Sequence, residues 1–300
     1  EDVLHPYLNK YRLIAESSEQ EKFNMAASLQ KVTEDITFDL INQVIEHCSK
    51  SNIKCENLCL SGGVSLNSVM TGKMVDKFKG KIKNFYVPPV PYDGGLNIGA
   101  CQYHWHHVLG NKRKLKEENF VSPYLGEAYT LDQVKKSIEK KSIKITCEEK
   151  SIEEVVDLLI DNKIVSVFQG RSESGRRALG DRSILANPIN GNMKEIINKK
   201  VKHRQWYRPF APSVLHEHGK EWFKNYFFSP YMGFVFQIKE DKLGKAIAIE
   251  HKDGSARIQS VTEKTNKNYY DLINIFYKKV GVPMLLNTSF NDREPIVETP

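Results

Sequence analysis

The sequence predicts an α/β fold arranged in two domains. Three observations carry that expectation. Short apolar runs empty into glycine turns that open helical stretches, long segments show three-to-four apolar spacing, and one stretch near the middle is almost purely charged. At 300 residues the chain can bury a large core, and that length favours two domains over one.

In chain order, Met25, Leu29, Val32, Ile36, Leu40, Val44 and Cys48 predict one long helix over 22–50. Residues 57–60 predict a short strand that runs into Ser61-Gly62-Gly63 and a second helical stretch. Residues 85–87 predict another strand, broken by PPVPY ahead of Asp93-Gly94-Gly95 and a helix over 96–109. Apolar residues nearly vanish over NKRKLKEEN (111–119), the expected linker. Beyond it come a helix over 131–141, a strand over 143–147, a helix over 152–162 and a strand over 164–168. Later strands are expected over 231–239, 246–251 and 256–261, the last two joined by the turn dipeptide Asp253-Gly254. A helix over 269–279 and a strand over 284–287 close the chain, with no internal repeat.

The formal charge of +7 suits an acidic partner of any kind, whether nucleic acid, nucleotide or phosphate substrate. Cys48, Cys55, Cys59, Cys101 and Cys147 form no CxxC pair and no even framework, which predicts reduced thiols and a cytoplasmic location. No second cysteine pair completes a zinc site around Cys55 and Cys59. No apolar run approaches the ~20 residues of a membrane span, and no signal peptide opens the chain. The chain starts without Met and stops at EPIVETP, so it is read as a piece of a longer protein.

Six of the ten arginines fall between Arg171 and Arg208 (Arg171, Arg176, Arg177, Arg182, Arg204 and Arg208), whereas the other basic residues are almost all lysine. A guanidinium keeps its charge and presents a fork of donors that fits phosphate oxygens in pairs. Gly170, Gly175 and Gly180 punctuate the cluster in a way no solvated helix face requires. The alternative is a basic surface pairing with Glu173 and Asp181.

Other motifs leave two readings open. LCLSGGVSLN (58–67) is an anion-binding strand–helix turn or a turn that needs glycine for its backbone alone. Asp93 caps a helix or binds a metal. Asn287, Thr288, Ser289 and Asn291 at a strand end bond a phosphate or nucleotide, or make a local side-chain turn. His104, His106 and His107 have no carboxylate beside them and read as surface or packing residues.

Together, LCLSGGVSLN, YDGGLNIGA, FQGRSESGRRALGDRSILANP, INKKVKHRQWYRPFAPSVL, HKDGSARIQSV and GVPMLLNTSFNDREPIV closely resemble the O-carbamoyltransferases that act on nodulation factors, cephamycins and aminoglycosides. The resemblance implies a partial actin-like ATPase (TsaD-like) lobe over 1–112, followed by a YrdC-like α/β domain over 120–300. It implies that carbamoyl phosphate and ATP, with Mg²⁺, give carbamoyl-adenylate, whose carbamoyl group then passes to a hydroxyl-bearing acceptor at a divalent metal, usually Fe²⁺.

By the same resemblance, Lys202 and Arg204 with Ser289 and Asn291 correspond to the KxR and SxN signature. Arg171, Arg177, Arg182 and Arg208 correspond to arginines around carbamoyl phosphate and ATP, with Lys202, Arg204, Arg177 and Arg208 in the catalytic role. Asn287 and Thr288 join the substrate-binding set; Gly62, Gly63 and Asn67 correspond to a nucleotide-contacting turn, and Asp93 to the metal carboxylate, whose histidine partners the family places upstream of residue 1. Ser172, Ser174 and Arg176 stand where the family has Met, Phe and Pro. A homo-oligomer is compatible with this reading, and no membrane partner is expected. The rival is an RNA-associated module acting in threonylcarbamoylation of transfer RNA; the arginines lack the interleaved aromatic positions it would use.

Overall fold

The computed structural model describes residues 5–113, 120–141 and 146–300. Most of the expected strand over 143–147, and the linker from residue 114 to 119, lie outside the described residues. The chain forms two compact units, Glu1–Leu58 with Lys73–Phe85 and Cys59–Gly72 with Tyr86–Pro300, so the division does not follow the charged stretch.

In the first unit, α1 (His5–Glu16) precedes α2 (Glu19–Lys50). Ser18 caps α2 by accepting from the Glu21 amide, with Glu19 and Glu21 in its first turn and Lys50 in its last, each charge opposing the local helix dipole. The helix therefore covers the predicted 22–50, but the predicted apolar stripe is not its buried face: Leu29, Val32, Ile36, Leu40 and Val44 are exposed, and Phe38 and Ile41 are buried. Phe38 meets Phe78 edge to face at 5.9 Å, and buried Glu34 is neutralised by Lys73 at 2.8 Å. Two apolar stripes run along this helix, and packing covers the one that carries the aromatic ring.

Strands β1 (Asn57–Cys59) and β2 (Asn84–Tyr86) pair with each other, and α3 (Ser68–Lys77) lies between them in sequence. A 3₁₀ turn at Asp93–Gly95 opens α4 (Leu96–Tyr103), which runs on into a π-helical turn at His104–Val108. The second unit continues with β3 (Tyr124–Ala128), α5 (Leu131–Glu139), α6 (Ile152–Ile160), β4 (Val165–Phe168), β5 (Arg171–Glu173) and β6 (Arg182–Ala186). Then come α7 (Met193–Lys200), β7 (Ala211–Leu215), α8 (His216–Trp222), β8 (Val235–Gln237), β9 (Ser255–Arg257), β10 (Gln259–Val261), α9 (Lys267–Val280) and β11 (Met284–Ser289). Capping boxes at Thr130/Gln133 and Ser151/Glu154 start α5 and α6, and left-handed Gly281 ends α9.

The main sheet has the order β10-β7-β11-β6-β4. β10 runs parallel to β7, and β11 is antiparallel to both β6 and β7. Every residue of β6 and β7 is buried, and α6 and α9 pack against each other and against the sheet through Val156, Leu159, Tyr269, Ile273 and Phe276. The mixed α/β class expected from the sequence is the class observed.

Two strand expectations are corrected. Residues 246–251 are not a strand: they hold a 3₁₀ turn, Ile247–Ile249. Asp253 still makes the turn, its Oδ1 accepting from the Ser255 amide and hydroxyl, but β9 pairs with β8. The run over 256–261 splits at fully buried Ile258 into β9 and β10, which belong to different sheets. A run expected as one strand does not reveal where the chain changes partners.

Candidate functional site

β11 ends where β6 and β7 begin, Asn287 opposite Ala211 and Ser289 opposite Ser183. Two loops meet at this end of the sheet, one entering β6 and the other β7. Between them lies a cavity of about 320 Å³ whose wall includes Arg176, Arg177, Arg204, Arg208 and Arg257. Asn287, Thr288 and Ser289 add polar atoms from β11, and Ser68 and Val69 bring the first turn of α3. Asn67 accepts from the Met70 amide at 3.1 Å through its side-chain oxygen, so it caps α3 and directs that turn. Among the described residues no carboxylate lines the cavity.

Five guanidinium groups with no acidic partner among the described residues repel one another. Burial first, then Arg177, Arg204 and Arg208, push Arg257 down to about 9. Burial and then Arg208 push Arg204 down to about 10, and burial and then Arg176 lower Arg177. A guanidinium does not give up its proton at neutral pH, so these shifts express the cost of burying the charges, with crowding among them added, and a bound anion would relieve both. Burial, as the main cause, pushes His251 down to about 4, so this cavity-wall imidazole is neutral and adds no charge near pH 7. Arg257 Nε and Asn287 Oδ1 are buried with no hydrogen-bond partner among the described residues.

Uncharged and acidic groups behind the wall hold these cations in place. Glu173 Oε1 accepts from the amides of Leu179 at 2.7 Å and Asp181 at 2.9 Å, which bends the arginine loop back over β5. Asn287 Nδ2 donates to the Ala178 carbonyl, while Gln259 Nε2 and Tyr124 Oη donate to the Leu179 carbonyl, tying the loop to β11, β10 and β3. Gly180 has φ +121°, and a Cβ there would lie 2.3 Å from the Tyr269 ring, so only glycine fits. In the second loop, Arg204 Nε donates to Asn198 Oδ1 and its guanidinium stacks 4.7 Å from the Phe210 ring centre. Ser172 and Ser174 replace apolar packing with hydrogen bonds, to Glu298 Oε1 and to the Pro123 carbonyl. Arg176 lies 4.4 Å over the Tyr92 ring.

The structure brings Arg177, Arg204, Arg208, Asn287, Thr288 and Ser289 together in this cavity. Lys202 is next to it: its buried Nζ donates to the carbonyl and Oδ1 of Asn291 at 2.7 and 2.8 Å and to the Ser289 carbonyl, holding the turn that carries both residues. Burial and then Arg204 push Lys202 down to about 8.

The other expected residues are elsewhere. Arg171 donates to the carbonyls of Gly126 and Leu125 and joins β5 to β3. Arg182 is fully buried under the Phe168 ring at 3.7 Å and donates to the Gln169 and Asp181 carbonyls. Gly62 and Gly63 form an exposed turn outside the cavity wall.

Asp93 is exposed at the start of its 3₁₀ turn. No three metal-ligating groups converge anywhere among the described residues, so these residues alone do not build a metal centre around it. Among the described residues no helix is long and apolar enough to cross a membrane, and all five cysteines are free.

Arg257 and His251 stand on the cavity wall without having been expected there, and Arg176, a member of the expected cluster, had been given no binding role. The available signal for Arg257 was a lone arginine three positions after a turn dipeptide.

Residues 156–300 match the family description "Carbamoyltransferase C-terminus", and residues 1–102 match "Carbamoyltransferase N-terminus". Nodulation protein NolNO of Sinorhizobium fredii is 37% identical over 93% of this chain and 41% of its own length. Nodulation protein NolO of Bradyrhizobium diazoefficiens is 36% identical over 93% of this chain and 50% of its own. The uncharacterized protein sll1178 of Synechocystis is 38% identical over 94% and 49%. The chain thus spans about half the length of the curated relatives it matches.

Proposed function

The chain belongs to the carbamoyltransferase family, and we propose that it carries the adenylate-forming part of an ATP-dependent O-carbamoyltransferase. In this reading residues 120–300 are the YrdC-like domain that makes carbamoyl-adenylate, and residues 1–112 are a lobe of the TsaD-like domain that uses it. The supporting observation is the cavity itself, about 320 Å³ with five guanidinium groups and, among the described residues, no carboxylate on its wall. Carbamoyl phosphate and a triphosphate are both polyanions, and bringing them together requires fixed, desolvated cations.

Water would cleave the carbamoyl carbon–oxygen bond of carbamoyl phosphate, giving carbamate and inorganic phosphate. A carbamate oxygen would then attack the α-phosphorus of ATP. The bond to the bridging oxygen breaks, pyrophosphate leaves, and carbamoyl-adenylate remains. Arg177, Arg204, Arg208 and Arg257 would hold the phosphoryl oxygens and offset charge on the leaving pyrophosphate. The α3 first turn at Ser68 and Val69 would add backbone donors, and Mg²⁺ carried by ATP would share the neutralisation. Lys202 would act through the turn of Ser289 and Asn291, keeping Ser289 at the wall. Passage of the carbamoyl group to an acceptor hydroxyl belongs to the TsaD-like domain, where Asp93 is the residue tied to the implied iron.

The test is to incubate the full chain with carboxyl-labelled carbamoyl phosphate and ATP. Labelled carbamoyl-adenylate and stoichiometric pyrophosphate are expected, and Arg177→Ala should lower their formation by a hundredfold or so. Absence of the adenylate with the intact chain would reject the assignment.

A further inference from the structure

A second cavity of about 380 Å³ opens beside the cationic one, and Arg204 belongs to the wall of both. Its most conspicuous lining group is Trp206, whose residue surface is 73% exposed. A single exposed aromatic is ordinary. This one is held in place: buried Asn198 donates to the Trp206 carbonyl at 3.2 Å and to the Arg208 carbonyl at 2.9 Å, while accepting from Arg204. One side chain therefore sets the loop so that Arg204 and Arg208 face the cationic cavity and Trp206 stands in the neighbouring one. Glu195 and Lys199, one turn apart on α7, with His203 and Gln205 complete the wall.

The two cavities differ in charge. Among the described residues the first has no acidic group and suits phosphates; in the second the Glu195 carboxylate stands against Lys199 and the shared Arg204, so its wall is closer to neutral. A large exposed indole with a carboxylate and an amide nearby suits a flat, uncharged ring that carries N–H donors. On the proposed ATP-dependent reading, we propose that Trp206 stacks the purine base of the nucleotide whose phosphates occupy the arginine cavity, with Arg204 at the junction. Glu195 and Gln205 are the acceptors available to the base's exocyclic amino group. Trp206 is thus a nucleotide-binding residue that separates a nucleoside triphosphate from a bare polyphosphate.

The test compares ATP with inorganic tripolyphosphate, both in the absence of carbamoyl phosphate, on the full chain. Tripolyphosphate fills only the arginine cavity. Trp206→Ala should weaken ATP by roughly tenfold or more, the range of base–aromatic stacking, while leaving tripolyphosphate affinity unchanged; that unchanged affinity also shows the variant to be folded. Trp206→Phe should restore most of the loss. ATP, but not tripolyphosphate, should quench a tryptophan signal that disappears in Trp206→Phe, where Trp105 and Trp222 remain as references.

Equal weakening of both ligands by Trp206→Ala, or weakening of neither, overturns the stacking role, provided Arg177→Ala weakens both. If Arg177→Ala leaves tripolyphosphate binding untouched, the phosphate assignment of the cavity fails first and the base subsite falls with it.

Discussion

Arg204 Nε donates to the Oδ1 of Asn198 at 2.7 Å, and Asn198 is fully buried beneath the loop that enters β7. The amide hydrogens of Asn198 go to the Trp206 and Arg208 carbonyls, so one neutral side chain fixes three alternate positions, 204, 206 and 208.

Asn198→Ala should therefore cost about 2–3 kcal/mol of stability, because it strands two carbonyls and one guanidinium donor in a buried site. Anion affinity should drop with it. Urea unfolding and pyrophosphate titration check both; wild-type values in either would show that the loop is held by something else.

Arg257 lies among like charges with no carboxylate on the cavity wall, and its Nε has no partner among the described residues. Arg257→Met keeps the volume and removes the repulsion. It should raise ligand-free stability by about 1 kcal/mol or more, while losing most of the pyrophosphate affinity. Thermal melts at low ionic strength, with and without pyrophosphate, separate the two effects. Only the wild type should gain the roughly 2.7 kcal/mol that ligand at a hundred times its Kd confers. A ligand-free variant that melts lower than wild type contradicts the prediction.

Glu173 Oε1 serves the Leu179 and Asp181 amides, with the Arg182 amide 3.4 Å away. Glu173→Ala should leave these donors unpaired and cost about 3 kcal/mol; Glu173→Gln, which keeps the accepting oxygen, should cost much less. Chemical denaturation of the two variants measures the gap, and equal losses would mean that the negative charge, not the acceptor, holds the loop.

Burial pushes the Asp181 carboxyl up to about 7 against a hydrogen bond from Asn266, with Glu173 adding to the rise. The folded state then binds a proton that the unfolded chain releases at its ordinary value near 3.8. Stability from this group is complete below about 4, declines as pH rises, and is gone above about 7; at roughly 1.4 kcal/mol per unit the span is on the order of 4 kcal/mol at most. Asp181→Asn should flatten the stability profile across that window. An unchanged slope between pH 4 and pH 7 would assign the dependence to other groups.

The arginine cluster was legible because it breaks the chain's own habit of using lysine, and Arg177, Arg204 and Arg208 do share a cavity. Arg171 and Arg182 carry the same sequence signal yet serve β5 and β6, because a guanidinium fork fits backbone carbonyls as well as phosphate oxygens. Arg257 gave a weak signal, being 49 positions beyond Arg208, and the pairing of the following strand β10 with β7 carries it to the site.

The amino-acid order alone determined the local structure, namely the long helix with its Ser18 cap, the capping boxes of α5 and α6, the glycine turns and the mixed α/β class, since each depends on residues within a few positions of one another. Tertiary structure alone decided which stripe of α2 is buried, where the run over 256–261 splits, and which arginines face one another. Those outcomes depend on strand order and loop closure across the whole chain. Periodicity shows which residues share a face, but the partner that covers that face comes from elsewhere in the sequence.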